Sequence, residues 1–100
     1  MIYLINVTEM EAVILSLDQK VRIQVQIHGQ YYTIKGTEPR EHVRHVAELV
    51  DTKMKEINSV NPLLGDKQLA VLTAVNAVHD LVKLQDRVEE LEKELLQLKE

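Results

Sequence analysis

Residues 81–98 read LVKLQDRVEELEKELLQL, and their apolar side chains recur at alternating steps of three and four. This spacing is a heptad pattern, which is typical of helices that pack together as a coiled coil. An apolar stripe of this kind gains nothing by folding alone in water, so the sequence predicts a helix that associates with other chains. The predicted oligomerisation residues at positions a and d, which we call the heptad seam, are Ala74, Ala77, Leu81, Leu84, Val88, Leu91, Leu95 and Leu98.

The helix that carries the heptad seam is predicted to be capped by Asp66 and to continue to the C-terminus. At 1.5 Å per residue it would be roughly 50 Å long, more than the rest of the chain can cover. We expect its first half to pack on the preceding helix and on another subunit, and its second half only on other chains. Leu96, at position b, favours more than two strands, while strand number and orientation stay open. A second apolar stripe is confined to the first half and consists of Val71, Val75, Val78 and Val82.

Residues 20–36 alternate between apolar and polar side chains, which predicts a β-hairpin. Val21, Ile23, Val25 and Ile27 occupy one face of its first strand. A glycine suits a two-residue hairpin loop because it tolerates the positive φ that such turns need. We therefore place the loop at Gly29-Gln30.

Residues 38–58 are predicted to form a helix capped by Thr37, with Glu38 and Pro39 in its first turn. Because a lone hairpin is marginal in water, we expect this helix to cover its apolar face. The predicted fold class is thus α+β: an N-terminal β-hairpin packed on a short helix, then a long C-terminal helix that forms an oligomeric coiled coil. The stripe that faces the hairpin is Val43, Val46, Ala47, Val50, Met54 and Ile57.

The composition argues against most enzymes and against nucleic-acid binding. The chain has 100 residues, no cysteine, three glycines and a net charge of −4 with interspersed signs. Disulfides, thiol catalysis and a glycine-rich phosphate cradle are therefore excluded or disfavoured, and we predict no enzyme and no cofactor. No stretch approaches the ~20 apolar residues that cross a bilayer, so we predict no membrane insertion.

Three polar residues could be either ordinary exposed side chains or functional ones that bind a metal or lie in an interface. His42 and His45 lie near Glu41 and Glu48 but lack the spacing of a metal site, so we interpret them as a solvated helix face. Asn76 interrupts an apolar run. It is either bonded locally and exposed, or buried in an interface where it fixes helix register.

Three blocks of the chain resemble the ZapA family of bacterial cell-division proteins. They are VQIHGQYYTIKG (25–36), VRHVAELVDTKM (43–54) and LAVLTAVNAVHDL (69–81), and the similarity covers about residues 20–100. The resemblance implies a cytoplasmic protein at the mid-cell division site that binds FtsZ and promotes bundling of its filaments. It also implies head domains that dimerise and C-terminal helices that join dimers into antiparallel tetramers.

The resemblance divides the chain into a leader (1–19), a globular head (20–80) and a coiled-coil tail (81–100). Residues 1–18 depart from the family, and we interpret the leader as disordered or as the product of an incorrectly assigned start codon, the true one now being read as Leu15 or Leu17. The head regions where the family meets FtsZ imply a set of partner-binding residues, which we call the contact set: Gln30, Arg40, Arg44, Lys53 and Lys67.

Two other functions compete with this one. The same oligomer could serve as a coiled-coil adaptor for a different cytoplasmic client. A small nucleic-acid-binding module would need a basic surface. The near-neutral charge of the head argues against that module.

Overall fold

A computed structural model describes residues 2–5 and 21–99 of the chain. Their contacts divide the chain into two compact units, Met1–Glu56 and Ile57–Glu100, which are described separately. The predicted fold class is confirmed, since an antiparallel hairpin is followed by a shorter and a longer helix.

The hairpin of the first unit consists of β2 (Val21–Ile27) and β3 (Gln30–Gly36). Ile27 pairs with Gln30, so the two loop residues are His28 and Gly29. Both have positive φ, 50° and 77°, which is the signature of a type I′ turn. The prediction of a loop at Gly29-Gln30 was wrong by one residue, because the turn places its glycine second instead of first.

A further strand, β1 (Tyr3–Ile5), pairs antiparallel with β3 and makes it the central strand of a sheet ordered β1-β3-β2. Leu4 lies opposite Ile34. These three residues belong to the predicted leader, for which no strand was predicted. The correction has a simple cause: the second edge of β3 offers backbone groups that even a short strand can pair with. Residue 1 and residues 6–19 of the leader lie outside the described residues.

Helix α1 (Arg40–Val60) begins and ends two residues later than predicted. The carbonyl of Pro39 accepts the first intrahelical hydrogen bond from the N–H of Val43, at 3.1 Å. Pro39 therefore occupies the capping position, and Thr37 lies outside the helix. A shift of this size is usual at helix ends.

The core of the first unit lies between the hairpin and α1. Ile23 and Val25 from the strand pack with Val43 and Ala47 from the helix, all of them buried. This confirms that the apolar stripe of α1 covers the hairpin, although Val50, at 36% exposed, lies at its margin. The side chains packed around this core are Ile2, Ile27, Tyr32 and Ile34.

The second unit contains α2 (Asp66–Lys99), which begins at the residue predicted to cap it and continues to the last residue that the structure describes. Its cap is Gly65 and not Asp66, because the Gly65 carbonyl accepts from the N–H of Leu69 at 2.9 Å. The side chain of Gln68 reaches back to accept from the Gly65 N–H at 3.3 Å, as in half of a capping box. Asp66 lies in the first turn, where its charge complements the helix dipole. Within residues 21–99, neither helix combines the length and apolarity needed to cross a membrane.

Candidate interaction surfaces

The heptad seam lies on the surface of α2 in the single chain. Leu84 is 62% exposed and Leu98 83%, and the other large seam residues are between 44% and 53% exposed. Ala74 and Ala77 are exposed as well. Contiguous apolar surface of this extent marks an interaction site, since water-soluble proteins rarely leave it uncovered.

The second apolar stripe is also uncovered in the single chain. Val71, Val75 and Val78 are each 57% exposed, and Val82 is 47% exposed. The buried residues of α2 are instead Leu69 and Thr73 near its start. The first half of α2 therefore presents apolar surface on two stripes and the second half on one, as the sequence pattern indicates.

In the single chain Asn76 bonds within its own helix, which is the first of the two interpretations given above. Its Nδ2 donates to the carbonyl of Leu72 at 2.9 Å, and the Thr73 hydroxyl makes the equivalent bond to the Leu69 carbonyl at 2.7 Å. Both side chains thus bond to the carbonyl four residues earlier. The role of Asn76 in an interface between subunits stays a prediction.

Two arginines of the contact set lie at the start of α1. The Nη1 atom of Arg40 donates to the carbonyl of Arg22 at 3.1 Å, which joins the helix to the beginning of β2. Arg44 forms an exposed ion pair with Glu41, one turn earlier, at 2.7 Å. An exposed pair of this kind contributes little to stability, so Arg44 can exchange Glu41 for an acidic partner at small cost.

The hairpin tip is held by the carboxylate of Asp51, for which the sequence pattern gives no signal. Asp51 accepts from the backbone N–H of His28 through Oδ1 at 2.8 Å and pairs with Lys55 through Oδ2 at 2.9 Å. The hydrogen bond with Lys55, then the one from His28, lowers the pKa of Asp51 below its ordinary value. No periodicity signals such a contact, because it depends on where the turn meets the helix.

The two anchors show how the contact set is distributed within the first unit. Arg40 is bonded at the open end of the hairpin and Asp51 at its tip, and eleven helical residues span about 16 Å. Arg40 and Arg44 therefore lie near one end of this unit. Gln30, which is exposed beside the turn, and Lys53, which pairs with Glu56 at 3.9 Å, lie toward the other end.

The fifth member of the contact set belongs to the other unit. Lys67 is exposed in the first turn of α2. The contact set is therefore divided between the two units, with four residues in the first and Lys67 in the second. Within the part of the chain that the structure describes, no three His, Cys, Asp or Glu side chains are arranged to hold a metal ion.

A family model and the most similar relatives reported below carry the same name. The family model described as "Cell division protein ZapA" matches residues 23–100. "Cell division protein ZapA" of Bacillus subtilis (strain 168) is 56% identical over 77 residues, which cover 77% of this chain and 91% of that protein. The protein of the same name from Bacillus pumilus (strain SAFR-032) is 56% identical over 81 residues, covering 81% and 92%.

The fold also matches a solved structure, described as "ZapA mutant dimer from Geobacillus stearothermophilus". The TM-score is 0.60 at 41% sequence identity, and the match covers 85% of this chain and 95% of that one. The family match runs from residue 23 to residue 100, so both helices and the heptad seam lie inside it.

Proposed function

Since the chain belongs to the ZapA family of cell division proteins, we propose that it binds FtsZ and bundles FtsZ filaments as a multivalent homo-oligomer. It acts in the cytoplasm at the mid-cell division site, with no catalytic step. The observation that carries this proposal is the exposed heptad seam, which one chain cannot cover with its own described residues.

The size of the heptad seam favours a dimer of dimers over a single pair of chains. Fully burying a Leu or Val side chain contributes about 1.5–3 kcal/mol, so a half-exposed one gains roughly 1 kcal/mol on association. The six large residues of two helices then contribute roughly 12 kcal/mol, against an association cost of about 4–15 kcal/mol. One pair of seams is therefore marginal, and recruiting further helices adds apolar burial. The solved Geobacillus stearothermophilus relative, described as a mutant dimer, supports the association of chains as such.

Oligomerisation also explains how weak contacts can bundle filaments. The charged side chains of the contact set are exposed or paired only at the surface, so each head supplies modest affinity. Linking several heads raises the effective concentration of the second binding event and increases avidity by about 10²–10⁴. Two filaments held by one oligomer are then cross-linked.

The test uses FtsZ filaments and two matched variants of the full chain. The seam variant carries Leu84→Glu with Leu91→Glu. The control variant carries Lys83→Gln with Gln97→Glu, which makes the same change in charge at position c, outside the seam. Wild-type chain and control variant should bring FtsZ into the pellet at low centrifugal force, as bundles do. The seam variant should pellet with filaments only at high force.

Two outcomes would contradict the proposal. A seam variant that bundles as well as the wild type would show that the heptad seam is not the cross-linking element. A wild-type oligomer that fails to pellet with FtsZ at either force would favour an adaptor for a different client.

A further inference from the structure

Strand β2 lies at an edge of the sheet, and one side chain of the contact set lies across that edge. We propose that Arg40 blocks this edge against a second copy of the chain, which would otherwise pair its own β2 there. This inference goes beyond the proposed function, because strand pairing between two copies requires neither FtsZ nor the heptad seam.

The hairpin turn determines which backbone groups of β2 point away from the sheet. A two-residue loop leaves its flanking residues, Ile27 and Gln30, as a hydrogen-bonded pair. Since such pairs alternate along antiparallel strands, the N–H and C=O groups of Arg22, Gln24 and Gln26 point away from β3. In the order β1-β3-β2, no other described strand lies on that side. We call these three residues the open edge, because their backbone groups can bind a further strand.

The composition of β2 makes the open edge prone to pair with a copy of itself. The strand reads VRIQVQI, with four β-branched residues, one charged side chain, and neither proline nor glycine. Segments of six or seven residues with this composition readily stack with identical segments. Natural edge strands avoid such pairing with charges, prolines or bulges. Since β2 carries only one charge of its own, its protection has to come largely from outside the strand.

The side chain of Arg40 provides a charge at the open edge. Its Nη1 donates to the carbonyl of Arg22 at 3.1 Å, and this hydrogen bond is exposed to solvent. Because that carbonyl is one of the outward groups, the guanidinium occupies the place where the backbone of an added strand would lie. A second strand can therefore pair along the whole open edge only by displacing a charged and hydrated side chain.

The core of the first unit keeps Arg40 beside the strand. Val43 and Ala47 of α1 pack with Ile23 and Val25 of β2, which fixes where the helix begins relative to the strand. Arg40 is the first residue of that helix. Its contact with the open edge is thus supported by buried packing, so it persists in the free chain.

The gain from removing Arg40 follows from the pairing of two open edges. In an antiparallel pair centred on Gln24, that residue faces its own copy, and Arg22 faces Gln26 at both ends. Without Arg40, the carbonyl of Arg22 is free to accept from the N–H of Gln26 at each end. Because two more hydrogen bonds form, Arg40→Ala should raise the association constant of the edges by about tenfold or more.

The test measures edge pairing in the full chain without FtsZ and without the heptad seam. Sedimentation velocity compares the seam variant with and without Arg40→Ala over a range of concentrations. With Arg40→Ala, species larger than those of the seam variant should appear at a concentration about tenfold lower. Hydrogen exchange should also slow at the N–H groups of Gln24 and Gln26 in these species, because both groups become bonded.

Three further substitutions separate strand pairing from other effects of the change. Arg44→Ala removes the same charge one turn along α1, where the arginine pairs with Glu41 instead of the edge, and should leave the size unchanged. Arg40→Lys keeps a charge at the edge and should also stay small. Adding Gln24→Pro to Arg40→Ala should restore the smaller size, since it removes an outward N–H but no bond to β3.

The inference is overturned if Arg40→Ala leaves the size distribution unchanged. Larger species that persist with Gln24→Pro, or in which Gln24 and Gln26 still exchange quickly, would also overturn it, because they indicate misfolding and not strand pairing. An equal increase on Arg44→Ala would assign the effect to net charge and remove the role of Arg40. A chain that fails to bundle FtsZ would overturn the proposed function and leave this inference standing.

Discussion

His28 has a left-handed backbone conformation, and its position shows what hydrophobic alternation can and cannot determine. A loop at His28-Gly29 pairs Val25 with Tyr32, whereas the predicted loop at Gly29-Gln30 would pair Val25 with Ile34. The two registers differ by two residues, so both keep apolar side chains on the same face. The choice depends on turn geometry and on Asp51, which accepts from the His28 N–H. Both features lie beyond a pattern of apolar residues.

At the scale of single residues, we predict that Asp51→Asn destabilises the chain in a pH-dependent way. The folded state lowers the pKa of Asp51, so its contribution is fully present above the unfolded pKa and is lost as the pH falls through the folded one. At pH 7 the variant should lose about 1 kcal/mol of unfolding free energy, and the difference should shrink below about pH 4.

Urea unfolding at a fixed protein concentration measures this difference. Glu48→Gln is the matched control, because Glu48 is an exposed carboxylate on the same helix and its removal should leave stability within about 0.5 kcal/mol of wild type. A loss on Asp51→Asn that is equal at pH 7 and pH 3.5 would show that the carboxylate charge is not the source of the stabilisation.

The elements themselves were largely predictable, because each one carries a clear period. Alternation predicted the hairpin, three- and four-residue steps predicted α1, and the heptad pattern predicted an apolar stripe on α2. Helix ends were less predictable. The capping positions belong to Pro39 and Gly65 and not to Thr37 and Asp66, since the backbone carbonyl that accepts the first helical bond decides the boundary. The strand Tyr3–Ile5 gave no signal, because three residues are too few to show a period.

At the scale of elements, α1 should depend on its buried face far more than on its exposed one. Val43 is 1% exposed against the hairpin, whereas Leu49 is 56% exposed on the same helix. Val43→Ala removes two buried carbon groups and leaves a cavity, so it should destabilise the chain by roughly 2 kcal/mol. Leu49→Ala should change stability by about 0.5 kcal/mol or less. Chemical unfolding of both variants at one protein concentration provides the measurement, and equal losses would mean that α1 does not cover the hairpin.

The contact set shows the limit of sequence reasoning about the whole molecule. The family resemblance implied five residues; four of them lie in the first unit, with Arg40 and Arg44 near one end of it and Gln30 and Lys53 toward the other, and Lys67 lies in the second unit. Which of them supplies binding energy depends on the surface of the partner, which the chain does not encode. The oligomerisation residues were easier to predict, because a heptad pattern indicates that the helix packs against another helix with the same pattern.

For the whole molecule, we predict that thermal stability depends on protein concentration. Because association favours the folded chain by mass action, raising the concentration about a hundredfold should raise the Tm by roughly 5–10 °C. The seam variant should show a clearly smaller rise, and the control variant should match the wild type. Calorimetry across that range provides the measurement. A wild-type Tm that does not change with concentration would contradict the oligomer.

Because the heptad seam is exposed in the single chain, assembly of the oligomer depends on the concentration of the chain. Under the proposed function, a chain that meets FtsZ before it meets another copy would occupy a binding site without joining two filaments. When chains are scarce, such singly bound copies prevail and compete with cross-linking. When they are abundant, assembly precedes binding and the bundles grow steeply with dosage. If the chain bundles FtsZ as proposed, the amount of this protein alone would set a threshold for filament cross-linking, without chemical modification.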